Sequence, residues 1–381
     1  MADETINLLR DLIAIPSVNS SLVPGGVGET DVAAAVGAYM KAFGADVTVE
    51  EVAPGRQNVI GVLQGSEPGP SLMFCGHLDT VGVEGMSDPF DPVQKDGRIY
   101  GRGSGDMKGG LAAMLAAARI VSQNGGWKKG RLVLAAVADE EYTSIGADSL
   151  VKKWTADAAV VTEPTGLAVA VGHKGFSWVE VTTRGRAAHG SRPQEGRDAI
   201  LKMGHVLNRL HALGQTLQAR EPHPLLGCAS LHASFVSGGR EMSTYPDRCV
   251  LRMERRNLPG EPDGVALNEV NEICNSLHAE DPEFEASAKL LFERPPYHTP
   301  ANHALPGLIE SAMQRVGQGV HREGMTYWTD AAILGGAGIP CVIFGPGGAG
   351  YHGLEEYVNA HEVLLCRDAL AILAREFVSG A

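Results

Sequence analysis

The stretch SLMFCGHLDT, residues 71–80, shows the arrangement from which the fold can be predicted. Its apolar part is typical of a short buried strand, and this strand runs directly into His77 and Asp79. Three further apolar runs lead to a carboxylate or a histidine: Leu132 to Ala138 precedes Asp139-Glu140-Glu141, Ala158 to Thr162 precedes Glu163, and Cys341 to Phe344 leads through a glycine loop to His352. Each predicted strand therefore delivers a side chain that can bind a metal ion.

Helical patterns alternate with these strands. Apolar residues recur at helical spacing near the start of the chain, and Gly109 to Ser122 is an alanine-rich helix between two of the strands. This alternation is typical of an α/β fold with a mostly parallel sheet flanked by helices. Ligands of such sheets bind beyond the carboxyl ends of the strands, so we expect the polar side chains to converge on one cleft.

Residues 175–292 have a different pattern of apolar and polar residues. Strands with one exposed face and amphipathic helices follow one another there: Phe176 to Thr183, Asp198 to Leu213, Cys228 to Val236, Cys249 to Arg255, Ala266 to Leu277 and Phe284 to Phe292. The order is β-α-β-β-α-β, which is the split βαβ, or ferredoxin-like, α+β arrangement. We therefore predict one domain formed by residues 1–174 plus 293–381, and a second domain, residues 175–292, inserted into it.

The composition narrows the functional classes. The net charge of −13 argues against nucleic acid and membrane as partners, because binding phosphate groups needs a basic surface. The 6 cysteines form no CxxC pair and no disulfide framework, which favours a reducing compartment, and we expect a cytoplasmic protein. The first residues, MADETINLLRDL, have the pattern of neither a signal peptide nor a membrane span.

Two histidines and several carboxylates without a cysteine form a donor set that suits zinc, with cobalt or manganese as substitutes. The candidate ligands are His77, Asp106, Glu163, His352 and one of the adjacent pair Glu140 and Glu141. They exceed the three protein ligands usual for a single catalytic zinc, so two ions that share a bridging carboxylate are the simplest explanation. We expect the adjacent glutamates in the loop beyond their strand, where one can bind metal and the other can act as a general base.

Two other classes of protein fit parts of this pattern. Each candidate side chain taken alone could be structural, and the fold with its metal could serve a non-catalytic binding or structural protein. A free base beside the ligands argues against that alternative. The glycine-rich stretch GRGSGDMKGG, residues 101–110, could hold phosphate in a nucleotide-binding enzyme, but it matches neither the dinucleotide fingerprint nor the P-loop.

Seven segments in a fixed order give a more specific resemblance: HLDT (77–80), GRGSGDMKGG (101–110), ADEE (138–141), TEP (162–164), RAAHGSRPQEGRDAI (186–200), RRNLPG (255–260) and FGPG with YHGLEEYV (344–358). They resemble the family of acetylornithine deacetylase, succinyl-diaminopimelate desuccinylase, aminoacylase and the glutamate carboxypeptidases. The resemblance spans nearly the whole chain. It implies a zinc-peptidase-like catalytic domain, and an inserted domain that forms a homodimer and a lid.

The resemblance also implies which residues hold two zinc ions per subunit. His77, Asp106 and Glu163 would hold one ion, and Asp106, Glu141 and His352 the other, so that Asp106 bridges. A non-proline cis peptide bond is expected directly after Asp106.

Two further residues of this centre receive catalytic roles from the resemblance. Asp79 would hydrogen-bond His77 and fix its tautomer. Glu140 would take a proton from the water that bridges the two ions, and would then pass this proton to the leaving amine.

Substrate-binding roles also follow from the resemblance. His189, in the inserted domain, would reach across a dimer to stabilise the oxyanion of the tetrahedral intermediate. Arg256 would bind the substrate carboxylate, a task that suits a planar guanidinium. Its neighbours Arg252 and Arg255 could serve instead, and the strand period places Arg252 on the same face as Arg256.

Two other positions are predicted to contact the substrate. Ser243 begins Ser-Thr-Tyr-Pro, where relatives commonly have an Asn-x-x-Pro turn, and Gly347 belongs to a glycine run that could line the pocket. We therefore expect a metal-dependent hydrolase that cleaves an amide bond in a small carboxylate-bearing substrate, first of all by deacylating an N-acyl amino acid. A glutamate carboxypeptidase or a dipeptidase would use the same groups.

Overall fold

The structure is a computed structural model that describes residues 3–379. The first part of the chain forms α1 (Glu4–Ala14), α2 (Thr30–Ala42), β1 (Asp46–Ala53), β2 (Arg56–Gln64), β3 (Glu67–His77), β4 (Val93–Lys95), β5 (Arg98–Tyr100), α3 (Gly109–Gln123), β6 (Lys129–Val137), α4 (Ile145–Leu150), β7 (Ala158–Val161) and β8 (Val169–His173). The middle part forms β9 (Gly175–Arg184), α5 (Ala199–Ala219), β10 (Ser230–Gly238), β11 (Arg248–Asn257), α6 (Val265–Glu280), β12 (Glu285–Arg294) and β13 (Tyr297–His298). The last part forms α7 (Leu305–Arg315), β14 (Arg322–Met325), α8 (Ala331–Gly336), β15 (Cys341–Ile343), β16 (Gly348–Ala349), β17 (Tyr357–Asn359) and α9 (Ala360–Ser379).

The chain divides into two compact units. The first comprises the residues up to Val171, Thr299–Glu323 and the residues from Thr329 onward, and the second comprises Gly172–His298 and Gly324–Trp328. These limits lie a few residues outside the predicted boundaries at 174/175 and 292/293. They also assign a short late segment to the second unit.

The first unit is built on a mixed sheet with the strand order β1-β2-β6-β3-β7-β15-β8. Its four central strands, from β6 to β15, are parallel, and the outer pairings on both sides are antiparallel. This arrangement confirms the predicted α/β class. Both faces of the sheet are covered, since Leu72 and Phe74 on one face of β3 and Met73 and Cys75 on the other are all fully buried.

Helix α3 positions the loop that precedes it. Its alanine-rich sequence is buried over most of its length, because small side chains let the helix pack closely on α1, α9 and the sheet. The closest approach is at Gly110, where an added Cβ atom would lie 1.8 Å from the backbone oxygen of Thr162. The glycines of the 101–110 stretch are thus accounted for in part by packing, without a bound phosphate.

The second unit has the predicted β-α-β-β-α-β order, from β9 to β12. Its strands form an antiparallel sheet in the order β10-β11-β9-β12, which is the ferredoxin-like topology. Helices α5 and α6 cover one face with a core that includes Met203, Val206 and Val270 against Val179 and Leu251. In residues 3–379 we find no helix that combines the length and the apolar character needed to cross a bilayer.

Candidate metal centre

Five side chains from separate parts of the first unit meet at the carboxyl edge of its parallel strands. His77 ends β3, and Glu163 follows β7 by two residues. Asp106 lies in the turn before α3, Glu141 in the loop after β6, and His352 in the loop between β16 and β17. Any two of these five residues are at least 22 positions apart in the sequence. The sheet therefore brings them together.

These side chains form two groups that share Asp106. His77, Asp106 and Glu163 form one group, and Asp106, Glu141 and His352 form the other, with the donor atoms of each group within 4.8 Å of one another. His77 Nε2 lies 3.1 Å from Asp106 Oδ1, whereas His352 Nε2 lies 3.3 Å from Asp106 Oδ2. The two oxygens of one carboxylate therefore face different groups, as a bridging ligand requires.

The loop after β6 places two adjacent glutamates, Glu140 and Glu141, in different surroundings. Asp139 has a left-handed conformation, φ 71°, which turns the chain just beyond the strand. Glu141 Oε2 then lies 3.1 Å from His352 Nε2, whereas Glu140 belongs to neither donor group. The prediction that both glutamates lie beyond the strand is confirmed.

The contacts of Asp79 differ from the predicted ones. Nδ1 of His77 lies 2.9 Å from the backbone oxygen of Asp79 but 3.6 Å from its carboxylate, so the hydrogen bond that orients the imidazole goes to the backbone. The Asp79 carboxylate instead accepts the backbone N–H groups of Glu140 and Glu141, each at 3.2 Å. Asp79 therefore fixes the loop that carries both glutamates.

A buried network of hydrogen bonds and ion pairs holds this loop in place. Asn19 Nδ2 donates to Asp79 at 2.7 Å and to Asp139 at 3.0 Å. Arg56 donates to Asp139 at 2.8 Å and forms a two-point pair with Glu29 at 2.6 Å. Sequence reasoning did not select Asn19, Glu29 or Arg56, because nothing local to these residues shows that they are buried.

Glu356 organises the turn that contains Asp106. Its carboxylate accepts the backbone N–H groups of Gly103, Gly105 and Asp106 at 2.9–3.0 Å, and it pairs with Arg102 at 2.6 Å. The peptide bond from Asp106 to Met107 is cis, as the resemblance implied. Glu356 lies within the quoted YHGLEEYV segment, but its partners are about 250 residues away, so the sequence gave no direct signal of this role.

The electrostatics of the centre show an excess of negative charge. Burial, reinforced by the charge of Asp106, raises the pKa of Glu141 to about 7. Burial and the charge of Glu163 raise the pKa of Glu140 well above its usual range. Hydrogen bonds to Asp106 and Glu141 raise the pKa of His352 to about 10. Burial and neighbouring carboxylates thus favour the protonated forms of Glu140 and Glu141, whereas hydrogen bonds from His352 and His77 lower the pKa of Asp106 and keep it ionised.

The donor geometry fits two divalent cations. Tetrahedral ligands at about 2.0–2.1 Å from a zinc ion lie about 3.3 Å apart, and four imidazole–carboxylate donor pairs here are 3.1–3.6 Å apart. Glu141 Oε1 is buried, and no described residue donates a hydrogen bond to it. Nitrogen and oxygen donors without sulfur suit zinc, cobalt or manganese. Both groups can therefore hold a metal ion.

The candidate substrate residues of the second unit lie on two turns and one strand. His189 is exposed, with Nδ1 2.7 Å from Ser191 Oγ, and the neighbouring Gly190 donates its N–H to the backbone oxygen of Ser243 at 2.7 Å. The structure therefore brings the turns of His189 and Ser243 together. Arg256 is partly exposed, donates to Glu254 at 2.6 Å and lies over the ring of Phe176.

The arginines near Arg256 differ in what they can bind. Arg252 is on the same face of β11, more exposed, and paired with Glu180 at 3.0 Å. Arg255 points to the opposite face and is fully buried, with Glu261 and Glu269 as ion-pair partners. The structure therefore removes Arg255 from the candidates for substrate binding and leaves Arg252 and Arg256.

Gly347 lies in the first unit, but its polar groups are already engaged. Its N–H donates to Glu362 at 2.7 Å, and its carbonyl accepts the N–H of Asn359 at 2.9 Å. An added Cβ atom would lie 2.8 Å from both Glu362 and Gly166. Close packing accounts for this glycine, and this observation argues against the predicted substrate contact.

Residues 73–376 match the profile of the family described as peptidase family M20/M25/M40. The chain belongs to this family. The match includes all five side chains of the two donor groups, and it confirms the resemblance drawn from the seven segments.

Individual known proteins are similar to this chain over almost their full lengths. An acetylornithine deacetylase from Myxococcus xanthus is 30% identical over 358 residues, which cover 91% of this chain and 90% of that protein. A tripeptidase from Staphylococcus aureus has a TM-score of 0.82 at 22% identity, with 99% of this chain and 98% of that chain covered. A dinuclear metal-binding peptidase from Bacillus subtilis has a TM-score of 0.76 at 17% identity, with 99% and 98% covered. The chain is thus a metallohydrolase of a family that includes dinuclear metal-binding members.

Proposed function

We propose that this metallohydrolase removes the acyl group from an N-acyl amino acid. The observation that carries the proposal is the pair of donor groups that share Asp106, with Glu140 next to them but outside both. A carboxylate beside a dinuclear centre that is not itself a ligand is the group needed for general base catalysis. Similarity to an acetylornithine deacetylase along 91% of the chain supports an acylated amino acid as substrate.

We propose two zinc ions per subunit, held by His77, Asp106 and Glu163 and by Asp106, Glu141 and His352. Cobalt or manganese could replace zinc. The bound ions would polarise the amide carbonyl and increase the acidity of a water molecule. Glu140 takes the proton of the attacking water and delivers it to the leaving amine. Asp79 keeps Glu140 in position through the hydrogen bond from the Glu140 backbone N–H.

Residues of the second unit are proposed to bind the rest of the substrate. Arg256, or Arg252 on the same face of the strand, binds the carboxylate of the amino acid. His189 donates to the oxyanion of the tetrahedral intermediate, and Ser243 contacts the substrate. His189 and Ser243 are accessible, since both side chains belong to exposed residues.

The predicted homodimer has a candidate contact surface on β10. This strand is at the edge of the antiparallel sheet, and Phe235 and Val236 on it are 72% and 59% exposed. An exposed apolar edge strand is a template for pairing with another chain. In sedimentation velocity experiments we expect a dimer for the wild-type protein and a monomer for Phe235→Lys. A wild-type monomer at micromolar concentration would contradict this proposal.

The cytoplasmic location stays a prediction, supported by the free thiols of all 6 cysteines.

A substrate panel with metal analysis tests the proposed function. The panel contains N-acyl amino acids, N-succinyl-diaminopimelate, C-terminal glutamate peptides and dipeptides, and the metal content is measured by mass spectrometry. We expect about two zinc ions per chain and the highest kcat/KM for an N-acyl amino acid. A higher kcat/KM for dipeptides or glutamate peptides would instead identify a peptidase with the same centre, which is the second candidate because solved structures of this fold include a tripeptidase.

A further inference from the structure

A cavity of about 630 Å³ lies in the first unit and includes a residue of the candidate metal centre in its lining. Three segments form its walls, residues 16–27, 81–90 and 352–354. The shared residue is His352, whose Nε2 faces Asp106 and Glu141. The volume is in the range of small-molecule pockets, about 300–1,000 Å³. The cavity therefore borders the second donor group, with which it shares His352.

Hydrogen bonds fix the walls of this cavity. Asn19 donates its backbone N–H to the carbonyl of Thr80 at 2.9 Å, which ties the first segment to the end of the His77 loop. Arg102 donates to the carbonyl of Gly82 at 3.0 Å and to that of Gly353 at 2.9 Å, which ties the second segment to the third. The cavity is thus preformed by the fold and is not a gap between loose loops.

The lining is mostly apolar. It includes Val18, Val23, Val27, Val83 and Leu354. Val27 and Leu354 are 65% and 67% exposed, which is unusual for large apolar side chains that face no partner. An apolar group bound in the cavity would remove this surface from water, and this burial would favour binding.

The charges of the residues that line the cavity disfavour the binding of a substrate carboxylate there. Arg102 alone among the lining residues, all of which are described, carries a permanent positive charge. Its guanidinium is buried, pairs with Glu356 at 2.6 Å and donates to two backbone carbonyls, so it has little capacity for a ligand. Glu84, also in the lining, would repel an anion. The carboxylate-bearing half of the substrate therefore has no binding partner here.

We infer that this cavity binds the acyl group, and that the preferred acyl group is an unbranched apolar chain longer than acetyl. This inference rests on the proposed deacylase function and adds the substrate class. The acyl half of the substrate binds in the apolar cavity lined by His352, and the carboxylate-bearing amino acid half binds outside this cavity. An acyl group with a terminal carboxylate, such as succinyl, is disfavoured.

A chain-length series on one amino acid tests the inference. The substrates are the N-acetyl, N-butanoyl, N-hexanoyl, N-octanoyl and N-succinyl derivatives, and kcat/KM is measured for the zinc-loaded wild-type enzyme. Burial of one methylene group favours binding by a factor of about four, so we expect kcat/KM to rise about fourfold per methylene until the cavity is filled. The N-succinyl derivative should be a poorer substrate than N-butanoyl, which has the same chain length.

Two variants locate the effect. Val27→Asp and Leu354→Asp place a charge on the cavity rim at exposed positions, where we expect the fold to tolerate it. Each should lower the ratio of kcat/KM for N-hexanoyl over N-acetyl substrate by at least about tenfold. The matched control is Val49→Asp, an exposed valine on β1 that is not part of the lining, and it should leave this ratio unchanged.

The outcomes separate this inference from the proposed function. If N-acetyl substrate is cleaved as well as or better than N-hexanoyl, the acyl-chain inference is wrong and the deacylase proposal stands. If Val49→Asp lowers the ratio as much as Val27→Asp, the cavity is not the acyl site. If the enzyme cleaves none of the N-acyl amino acids but does cleave peptides, the proposed function fails and the inference fails with it.

Discussion

Two buried clusters of charge in this molecule differ in whether they are balanced. In the second unit, Arg255 is fully buried and makes hydrogen bonds through all five of its N–H groups, to Glu261, Glu269 and Asn257. In the first unit, the donor groups that share Asp106 combine three carboxylates with two imidazoles. The charges of the Arg255 cluster are balanced by its own side chains, whereas the carboxylates around Asp106 need metal cations for balance. Balance, and not burial, therefore separates a structural cluster from a site that binds metal.

The difference also explains why adjacent residues have different capacities. Arg255 and Arg256 are neighbours on β11, and the strand alternation turns one into the core and the other toward the opposite face. Arg255 has no N–H group left for a ligand, while Arg256 is partly exposed and has one carboxylate partner at 2.6 Å. A buried arginine with complete pairing is thus a poor candidate for substrate binding, even within a family motif.

The largest expected effect comes from Glu140, a carboxylate that lies next to both donor groups but belongs to neither. We predict that Glu140→Gln lowers kcat by about 10²- to 10⁴-fold, because the base for proton transfer is lost. The metal content should stay at the wild-type level. The matched control is Glu141→Gln, which removes a proposed ligand and should lower the metal content as measured by mass spectrometry. Loss of metal in Glu140→Gln, or a fall in kcat below tenfold, would contradict the assigned roles.

Supplying the missing cations should stabilise the unbalanced cluster. At a free zinc concentration about 1,000 times the dissociation constant, the free energy of unfolding should increase by about 4 kcal/mol for each occupied site over that of the chelator-treated protein. Urea unfolding with and without zinc measures this difference. The control is Glu163→Gln, which should bind zinc more weakly and show a smaller increase at the same zinc concentration. Equal stability of the wild-type protein in both conditions would show that these residues do not bind the ion.

Breaking the balanced cluster should cost stability. Arg255→Ala removes the buried cation of Glu261 and Glu269 and leaves them only the half-exposed Arg220, at 3.9 and 4.0 Å, so we predict a loss of about 3 kcal/mol in the free energy of unfolding. The matched control is Arg252→Ala, which removes an exposed arginine with one ion pair and should cost about 0.5 kcal/mol or less. Both are measured by urea unfolding. If both variants lose the same free energy of unfolding, the buried ion pairs of Arg255 contribute no more to stability than the exposed ion pair of Arg252.

A buried neutral group should give the smallest effect. His173 is fully buried in the second unit, its Nδ1 lies 2.9 Å from the backbone oxygen of Lys174, and burial lowers its pKa to about 4. The unfolded chain takes up a proton near pH 6.5 and the folded chain only near pH 4, so stability is complete above pH 6.5 and falls as the pH decreases toward 4.

We predict that this group alone costs about 2 kcal/mol between pH 8 and pH 5. Other groups titrate in the same range, so the measured quantity is the difference between wild type and His173→Asn in urea unfolding at each pH. The variant should lose less stability on acidification. If wild type and variant show the same pH dependence, His173 does not titrate as its burial implies.

The ligand set was predicted from the sequence because it depends on local patterns. A short apolar run followed by a polar residue predicts a buried strand and its carboxyl end, and parallel strands bring these ends to one edge of a sheet. That reasoning found His77, Glu163 and His352 and placed both glutamates of the β6 loop beyond their strand. The family resemblance then assigned Glu141 to a donor group and Asp106 to the bridging position, in agreement with the observed distances.

Only the tertiary structure decided which charged residues support the centre and which groups remain available. Arg56 and Glu29 are buried beneath the β6 loop, Glu356 holds the Asp106 turn from about 250 residues away, and Arg255 is saturated by its neighbours. No local pattern shows these facts, because burial and pairing depend on which distant segments pack together. The sequence by itself determined the chemistry of the donor set and the β-α-β-β-α-β order of the second unit. Packing determined the partners of each charge, since the cost of a buried charge depends on its whole surroundings.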